Sequence, residues 1–469
     1  MRTRWVPLIS RRLPLPTVFA VSWRDLAIAL LGVVDGVLLA WGSDGGAAQQ
    51  LFAVMSAGAI GCMTLLWLAF DDHFERTPLW WILGVALCVR LIAVQASPLL
   101  EDDHFRYLWD GLRTATSFDP YRLAPVAYFS DTTLPPQWQA VLSGINNPDI
   151  PTIYGPVLQL LFGFAFLIAP GKIGAIQFIL LVVDLVVLGV LVHKRVNSRW
   201  LLVYAIHPLI LKEAMATAHP DGLLALLLLL ALIAWQRRRA MWVGTLLGCA
   251  IATKIAALVV VPLYLVSPTA SYGYRNGFAR WLIVVATSAC LSSLALYLPF
   301  VLAGGSDSAA LAIFSEQWRF NPLLYRFVED ILPPHVARMF AAVLILGVVG
   351  ATAWRSHRGV HAGTLAQPPV HRALTVLLLL SPVVNPWYWM WALALGVQAG
   401  RIYVVCISAC AALSYLNSTV LCEAGFCANG ELFSPLFAPY AVGWSVTFAQ
   451  LAVLAIAWAY EHGRSRGHA

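Results

Sequence analysis

The chain has 469 residues, of which 60% are hydrophobic and only 11% charged, and its net charge is +7. Soluble domains carry about a quarter charged residues, so this composition excludes a water-soluble enzyme and a secreted disulfide scaffold. The arginines lie in short clusters between apolar runs, which is typical of membrane-protein orientation signals and not of a nucleic-acid-binding surface. We therefore expect an all-α integral membrane protein with no nucleic-acid partner.

The first apolar runs predict membrane spans at about 26–41, 51–70 and 79–97. Four arginines in the first twelve residues precede them, without a small-residue cleavage site. The N-terminus is therefore expected to be a cytoplasmic flank and not a cleaved signal peptide. The third span then leads to the outer side, where a polar segment runs to about residue 152.

Residues 153–169 are apolar but few, and counting them as a span would place the basic cluster at 193–199 outside. We interpret them as an interfacial or re-entrant helix. Later spans are expected at 175–192, 201–217, 221–235, 240–253, 255–267, 281–303, 336–354, a broken hairpin at 371–400, 401–421 and 439–459. The result is about fourteen passages, with both termini in the cytoplasm and residues 304–335 outside.

The polar segment opens with three consecutive carboxylates, Glu101, Asp102 and Asp103. Like charges at this spacing raise at least one pKa, toward the range useful for taking a proton from a hydroxyl group. This cluster therefore predicts a general base. The alternative is a solvated helix start, with Asp102 or Asp103 as the N-cap.

From Asp103 onward the spacing is helical, and Asp103, Arg106, Tyr107 and Asp110 share one face. The opposite face is apolar, so we expect this helix to lie along the membrane surface. Tyr154 follows in the second polar piece, where it can face a head group or act as an interfacial anchor.

Ionisable residues within apolar runs are costly unless they are paired or face water. Those in this chain are Arg90, Asp184, Lys212, Glu213, His219, Asp221 and Lys254. Lys254 suits a phosphate group, although an internal ion pair with Asp184 is an alternative. His219 and Asp221 can contact a sugar or phosphate, or cap the following helix. Lys212 and Glu213 are more consistent with a structural role.

Two further outer segments mix polar and aromatic side chains. Arg319 lies within 316–322 among aromatic and amide groups that suit a sugar and an anion, or an interfacial anchor. Asn385, Trp387 and Tyr388 follow the helix break at Ser381 and Pro382, and irregular backbone at that depth implies a protein-lined cavity.

The cysteines fall into two groups. Cys422 and Cys427 lie in the predicted outer loop 422–438, where an oxidising compartment would let them form a disulfide. The remaining six are expected to be small buried hydrophobic residues, namely Cys62, Cys88, Cys249, Cys290, Cys406 and Cys410.

The motifs of the chain resemble those of bacterial polytopic GT-C glycosyltransferases, in the mannosyltransferase-like group that uses polyprenyl-phosphate sugars. They are EDDHFRYLWDG at 101–111, DPY at 119–121, NPDIPTIYGP at 147–156, HPD at 219–221, TK at 253–254 and PVVNPWYW at 382–389. The resemblance implies a GT-C catalytic module at 79–335 with its outer loop at 98–152. Residues 1–78 would then be the cytoplasmic flank with two added helices, and 336–469 the C-terminal transmembrane helices.

The resemblance also implies an activity, the transfer of a sugar, expected to be mannose, to an acceptor hydroxyl on a glycan, lipid or protein. The site would face the periplasm from the bacterial inner membrane, with Asp102 or Asp103 as the base and Arg106, Lys254 or Arg319 steadying the departing phosphate. Inversion at the anomeric carbon would follow. We expect no cofactor, although a divalent metal can bind clustered acids.

Two departures from the family pattern bear on the identity of the sugar. Ser117 to Asp119 replace an expected Gly and Asn, and Pro220 replaces Asn. A polytopic transporter or lipid flippase is the alternative function, although transporters usually show repeated halves and none is evident.

Overall fold

The computed structural model describes residues 21–266, 276–361, 367–428, 431–432 and 439–467. The arginine-rich N-terminal flank lies outside these residues, as does part of the predicted outer loop 422–438. The described part of the chain is helical apart from one antiparallel pair of two-residue strands, β1 (Cys427–Ala428) and β2 (Glu431–Leu432). The all-α prediction is confirmed.

The α-helices of the first half are α1 (Trp23–Ser43), α2 (Ala47–Phe70), α3 (Leu79–Ala93), α4 (Asp103–Thr116), α5 (Pro136–Ser143), α6 (Pro156–Ile168), α7 (Ile173–His193), α8 (Ser198–Ala205), α9 (Gly222–Gln236), α10 (Ala240–Thr253) and α11 (Val261–Leu265). Those of the second half are α12 (Asn276–Leu302), α13 (Ser308–Gln317), α14 (Leu324–Glu329), α15 (Pro334–His361), α16 (Val370–Leu380), α17 (Met390–Gln398), α18 (Ile402–Ala409), α19 (Ser418–Glu423) and α20 (Pro439–Gly467). Short 3-10 segments occur at Asp72–Arg76, Pro125–Tyr128, Ile255–Val260, Pro386–Trp389 and Cys410–Tyr415.

Within the described residues, six helices are long and apolar enough to cross a membrane, namely α1, α2, α7, α12, α15 and α20. The other predicted crossings fall on shorter helices. The 15 residues of α3, for example, extend only about 23 Å, against a hydrocarbon core of about 30 Å. The chain is therefore a membrane protein, and the total of fourteen passages stays a prediction.

The predicted span at 201–217 is not a continuous α-helix. The run at 201–217 contains α8, which ends at Ala205, and then a π-helical segment over Ile210–Ala216. Pro208 between them has no backbone N–H to continue the helical ladder. The π-helical turn leads directly to the segment that carries His219, which fits the frequent occurrence of π-bulges near functional sites.

A buried ion pair fastens three of the membrane helices together. The guanidinium of Arg90 in α3 contacts Asp184 in α7 at 2.5 Å and also donates to the Ala205 carbonyl of α8. The Tyr204 hydroxyl donates a second bond to Asp184, at 2.6 Å. These bonds satisfy two charges that would otherwise be unpaired in an apolar interior.

Helices α4 and α6 pack side by side. Their close approach depends on Gly111, because a Cβ atom at this position would lie only 2.6 Å from the Phe162 carbonyl oxygen. Several apolar side chains of α6 remain exposed, namely Leu160, Phe164, Leu167 and Ile168. This exposed apolar face fits the prediction that α6 lies at a membrane interface.

Candidate functional site

A cavity of about 280 Å³ opens beside the start of α4. Five parts of the chain line it: the start of α4, the 146–154 segment, the residue after α10, the end of α13 with its following loop, and the break between α16 and α17. The predicted site residues in its wall are Glu101, Asp103, Arg106, Tyr154, Lys254, Arg319, Asn385, Trp387 and Tyr388. The structure thus brings together residues that are up to 287 positions apart in the sequence, from Glu101 to Tyr388.

The two candidate bases occupy different positions. Asp103 lines the cavity, and its carboxylate accepts a hydrogen bond from the Tyr154 hydroxyl at 3.0 Å and one from the Asn146 amide at 3.3 Å. Asp102 is not among the lining residues, and its carboxylate contacts the Asn146 amide at 2.5 Å. Asp102 is also the residue before α4, but its side chain makes no capping hydrogen bond.

The neighbouring acids have raised pKa values. Burial raises the pKa of the Asp102 carboxyl, and the charge of Asp103 raises it further. Burial also raises the pKa of Glu101 well above its usual range. Burial, together with the charge of Asp103, therefore favours protonation of these two carboxyl groups.

Lys254 is one of the cations in the cavity wall. Its ammonium group contacts the Asp221 carboxylate at 2.7 Å and lies 4.4 Å from the ring centre of Tyr388. The partner suggested by the sequence, Asp184, is engaged with Arg90 instead. Lys254 is therefore in an ion pair, as the alternative interpretation held, although with a different acid, and its side chain still lines the cavity.

Two arginines line the same cavity in different ways. Arg106 donates to the backbone carbonyls of Ile150 and Asn147, both at 3.0 Å, so it shapes the loop in front of α4. Arg319 pairs with Glu329 at 2.5 Å while its side chain remains 51% exposed. This exposure leaves the guanidinium accessible to an anion at the cavity mouth.

Besides Asp102, four predicted site residues do not line the cavity and lie behind its wall: Tyr107, Asp110, His219 and Asp221. The His219 ring stacks on Trp387, with 3.6 Å between ring centres, and its Nδ1 contacts the Tyr107 hydroxyl at 2.9 Å. The Asp221 carboxylate accepts from the Trp391 indole at 2.6 Å and from Lys254, and it makes no side-chain cap for α9. These contacts support the wall from behind.

Asp110 belongs to the same buried layer. Its carboxylate accepts hydrogen bonds from the Thr152 hydroxyl at 2.5 Å and the Gln159 amide at 2.9 Å. Burial raises its pKa to about 6, even though Arg106 and these donors oppose the shift. The residue ties α4 to the polar segment and to α6, which is a structural role.

Backbone contacts hold the aromatic side of the cavity. Phe320 forms a parallel bridge with Val383, in which the Phe320 N–H donates to the Pro382 carbonyl at 3.1 Å and the Val384 N–H to the Phe320 carbonyl at 2.8 Å. The loop carrying Arg319 is thereby fixed to the helix break carrying Trp387. The break itself is as predicted, because α16 ends at Leu380 and helical structure resumes at Pro386.

Of the seven non-glycine residues with positive φ in the described part of the chain, four lie at or near the cavity. Non-glycine residues with positive φ include Leu100 at 58°, Asn147 at 46°, Ala218 at 63° and Asn321 at 43°. Asn147 lines the cavity, Leu100 and Asn321 are each next to a lining residue, and Ala218 is next to His219 behind the wall. Such conformations cost free energy and persist where the surrounding structure imposes them, often at functional sites.

Residues 18–270 match the family described as alpha-(1->6)-mannopyranosyltransferase, N-terminal domain. This range covers more than half of the chain and contains the carboxylate cluster, the 146–154 segment and Lys254. The chain belongs to this mannosyltransferase family. No curated protein and no solved structure matches the chain.

Family membership indicates a membrane mannosyltransferase, and so a glycosyltransferase in place of the transporter or flippase that the sequence left open. A mannosyltransferase uses a sugar donor and an acceptor, which agrees with the general kind of partner expected from the sequence. The matched range begins before α1 and covers both helices of the predicted N-terminal addition. The boundary at 78/79 stays a prediction.

Several cavity residues of this mannosyltransferase were not among the predicted site residues, namely Asn146, Asn147, Ile150, Pro151, Ile153, Phe314, Trp318 and Phe320. Asn146 bridges both aspartates. Its signal in the sequence is the paired Asn146 and Asn147 before Pro148, since amides beside a proline-stiffened turn are positioned side chains.

Two predictions from the sequence concern groups other than substrate. Cys422 and Cys427 form a disulfide in the structure, with 4.8 Å between their Cα atoms. Within the described ranges, no group of three or more His, Cys, Asp or Glu side chains is arranged to hold a metal ion. Whether the enzyme needs a metal stays a prediction.

Proposed function

We propose that the protein transfers mannose from a polyprenyl-phosphate donor to an acceptor hydroxyl with inversion at the anomeric carbon, and that Asp103 is the general base. The linkage would be the α-(1→6) bond named for the family. One observation carries the proposal. Asp103 is the aspartate of the acidic cluster that lines a cavity shared with three cations, Arg106, Lys254 and Arg319.

Asp103 is preferred over its neighbours for geometric and electrostatic reasons. It lines the cavity and is held by Tyr154 and Asn146, whereas Asp102 is outside the lining. Glu101 lines the cavity, but burial raises its pKa well above the usual range, which favours its protonated form. A protonated carboxyl group can donate a hydrogen bond but cannot accept a proton from the acceptor.

The reaction would be a single displacement. The Asp103 carboxylate takes the proton of the acceptor hydroxyl as its oxygen forms a bond to the anomeric carbon. The bond from that carbon to the phosphate oxygen breaks on the opposite face, and the bonding electrons leave with the phosphate. Because attack and departure occur on opposite faces, the configuration inverts, and the phosphate leaving group needs no acid.

The cations have separate tasks in this scheme. Lys254 lies in the wall near Tyr388, and the exposed guanidinium of Arg319 lies at the mouth. Both can stabilise the charge that develops on the departing phosphate, which is the step where fixed positive groups accelerate reaction most. Arg106 is committed to backbone carbonyls and acts mainly by holding the 146–150 segment.

The aromatic wall suits the sugar. Trp318, Phe320, Trp387 and Tyr388 line the cavity together with the amide of Asn385. Aromatic faces pack against the C–H surface of a pyranose ring, while the amide can bond to its hydroxyl groups. This combination supports a hexose as the transferred group.

The location of the site is part of the proposal. The predicted topology places residues 98–152, Lys254, 304–335 and the break after Ser381 on the outer side of the membrane. The same parts of the chain line the cavity, which is consistent with all of them lying on one face of the membrane. We propose the periplasmic face of a bacterial inner membrane, where a lipid-borne donor reaches the cavity from the bilayer.

The test is transfer of radiolabelled mannose by the purified, reconstituted protein. Polyprenyl-phosphate-mannose should support transfer to a membrane acceptor fraction, and a nucleotide-linked mannose should not. The product bond should be cleaved by an α-(1→6)-specific mannosidase, and activity should survive a metal chelator. Transfer only from the nucleotide donor, or no transfer from any lipid-phosphate sugar, would contradict the proposal.

A further inference from the structure

A second and larger cavity lies among the membrane helices, apart from the site described above. Its volume is about 470 Å³, and no residue of its wall also lines the candidate site. Its walls come from α2, α8, α18 with the 3-10 turn that follows, and α20. Nearly all of the lining side chains are apolar, including Leu65, Val203, Val405 and Val453.

The cavity is open sideways between α2 and α20. Leu66 on α2 is 46% exposed and Ile456 on α20 is 70% exposed, and both belong to the lining. The two helices meet at one end through Phe70 and Tyr460, whose rings are 5.3 Å apart. Because both helices have the length and composition of membrane spans, this side opening faces hydrocarbon.

One end of the cavity is polar. Arg199 lines it, is 8% exposed, and pairs with Glu75 at 3.2 Å and with Asp72. The Arg199 Nε is buried and has no hydrogen-bond partner. Trp200 and Tyr460 line the same end, and such amphipathic rings concentrate at membrane–water interfaces.

The polar end has a consistent position along the four helices. It is formed by the end of α2, the start of α8, the start of α18 and the C-terminal part of α20. The predicted topology places all four of these ends on the cytoplasmic side, opposite to the candidate site. A molecule entering sideways would therefore come from the inner leaflet.

We propose that this cavity is a binding site for a membrane phospholipid of the inner leaflet. One hydrocarbon chain would fill the space between α2 and α20, and the head group would lie beside Arg199 and Trp200. An empty apolar space of this size loses dispersion contacts along its whole lining, and a hydrocarbon chain restores them.

The experiment uses the full chain in nanodiscs of a phosphatidylglycerol and phosphatidylethanolamine mixture, with a small fraction of analogue carrying a photoreactive group in one acyl chain. Peptide mapping after irradiation gives the sites of attachment. We expect labelling of residues 62–70, 402–410 and 453–460 to exceed labelling of the lipid-exposed α15, where Val343 is 66% exposed. The cavity label should survive exchange into detergent before irradiation, whereas the α15 label should not.

A matched pair of variants tests the cavity itself. Ala457 is 6% exposed and lines the cavity, so Ala457→Trp should lower the retained label at least about tenfold, since it removes room for several methylene groups. Val343→Trp on α15 should leave it unchanged. Equal labelling of cavity and α15, loss of the cavity label on exchange, or full retention in folded Ala457→Trp would overturn the proposal. If that variant does not fold, the wild-type comparison decides.

Discussion

The Tyr154 hydroxyl donates a hydrogen bond of 3.0 Å to Oδ2 of Asp103. The two residues lie 51 positions apart, and the bond closes the 146–154 segment onto the start of α4. A hydroxyl that donates to a carboxylate stabilises the ionised form and fixes its orientation. Tyr154, which the sequence left between head-group contact and interfacial anchor, therefore positions the proposed base.

Removing this hydroxyl should slow the reaction without unfolding the protein. Tyr154→Phe keeps the ring packed on Tyr107 but deletes a hydrogen bond to a charged group, which is worth about 1.5–3 kcal/mol. We expect kcat to fall by about ten- to a hundredfold, measured by mannosyl transfer at saturating donor. Tyr264→Phe removes another buried hydroxyl bond, made by a residue that does not line the cavity, and should retain normal activity. Equal losses in both variants would contradict the role of Tyr154.

Lys254 can be separated into a structural and a functional contribution. Lys254→Met leaves Asp221 buried without its cation, and breaking a buried pair in this way costs about 3–5 kcal/mol. The double variant Lys254→Met/Asp221→Asn removes the stranded charge and should recover most of the thermal stability. Its activity should stay about a hundred- to a thousandfold low, because the cation facing the phosphate is still missing. Recovery of activity together with stability would show that Lys254 only supports the fold.

The pH dependence of stability should report on Asp110. Its folded-state pKa of about 6 exceeds the ordinary value of 3.8, so between these values the folded protein holds a proton that the unfolded chain has released. The contribution of Asp110 therefore favours folding at low pH and is lost as the pH rises through about 6. As the pH rises from about 4 to about 6, the Tm of Asp110→Asn should therefore increase relative to the Tm of wild type. Above about pH 6 the difference between the two Tm values should stay constant.

The control for this prediction is an exposed acid with the opposite shift. Hydrogen bonds from Thr133 lower the pKa of Asp131, so its contribution is lost as the pH falls. Asp131→Asn should not reproduce the relative gain between pH 4 and 6. A difference in Tm between Asp110→Asn and wild type that is the same at every pH would contradict the buried, proton-binding role of Asp110.

The ion pair between Arg90 and Asp184 should dominate the stability of the membrane core. Arg90→Met strands the Asp184 carboxylate among α3, α7 and α8 and should destabilise the protein by about 3–5 kcal/mol, measured by thermal unfolding in detergent. Arg90→Met/Asp184→Leu should recover most of this loss. Arg24→Met removes a partner of Asp71 from a pair with a 40% exposed arginine and should cost at most about 1 kcal/mol.

The sequence predicted which segments form the site better than it predicted which of their side chains reach the cavity. The helical spacing from Asp103 onward correctly predicts α4, observed as Asp103–Thr116. The same spacing places Asp110 on the face of Asp103, but Asp110 is buried two turns further along against Gln159. Periodicity gives the direction of a side chain and not the position of the cavity along the helix, which is why Tyr107 and Asp110 support the wall from behind.

The sequence also did not reveal which charged side chains on different helices pair with each other. The cost of a buried charge predicts that Lys254 and Asp184 each need a partner, and both are indeed paired. It does not say which helices are neighbours, and the structure pairs Lys254 with Asp221 and Asp184 with Arg90. Likewise, the contribution of Asn146 depends on how the outer segment folds back over α4.

The comparison of Asp103→Asn with Asp102→Asn tests the central claim most directly, because the two acids are adjacent, share Asn146 as a partner, and differ in that only Asp103 lines the cavity. The measurement is transfer of radiolabelled mannose from polyprenyl-phosphate-mannose at matched protein levels, together with donor binding. We predict that Asp103→Asn loses about two to four orders of magnitude in turnover while still binding donor, and that Asp102→Asn stays within about tenfold of wild type. A larger loss in Asp102→Asn, or equal activity in both variants, would contradict the assignment of Asp103 as the base.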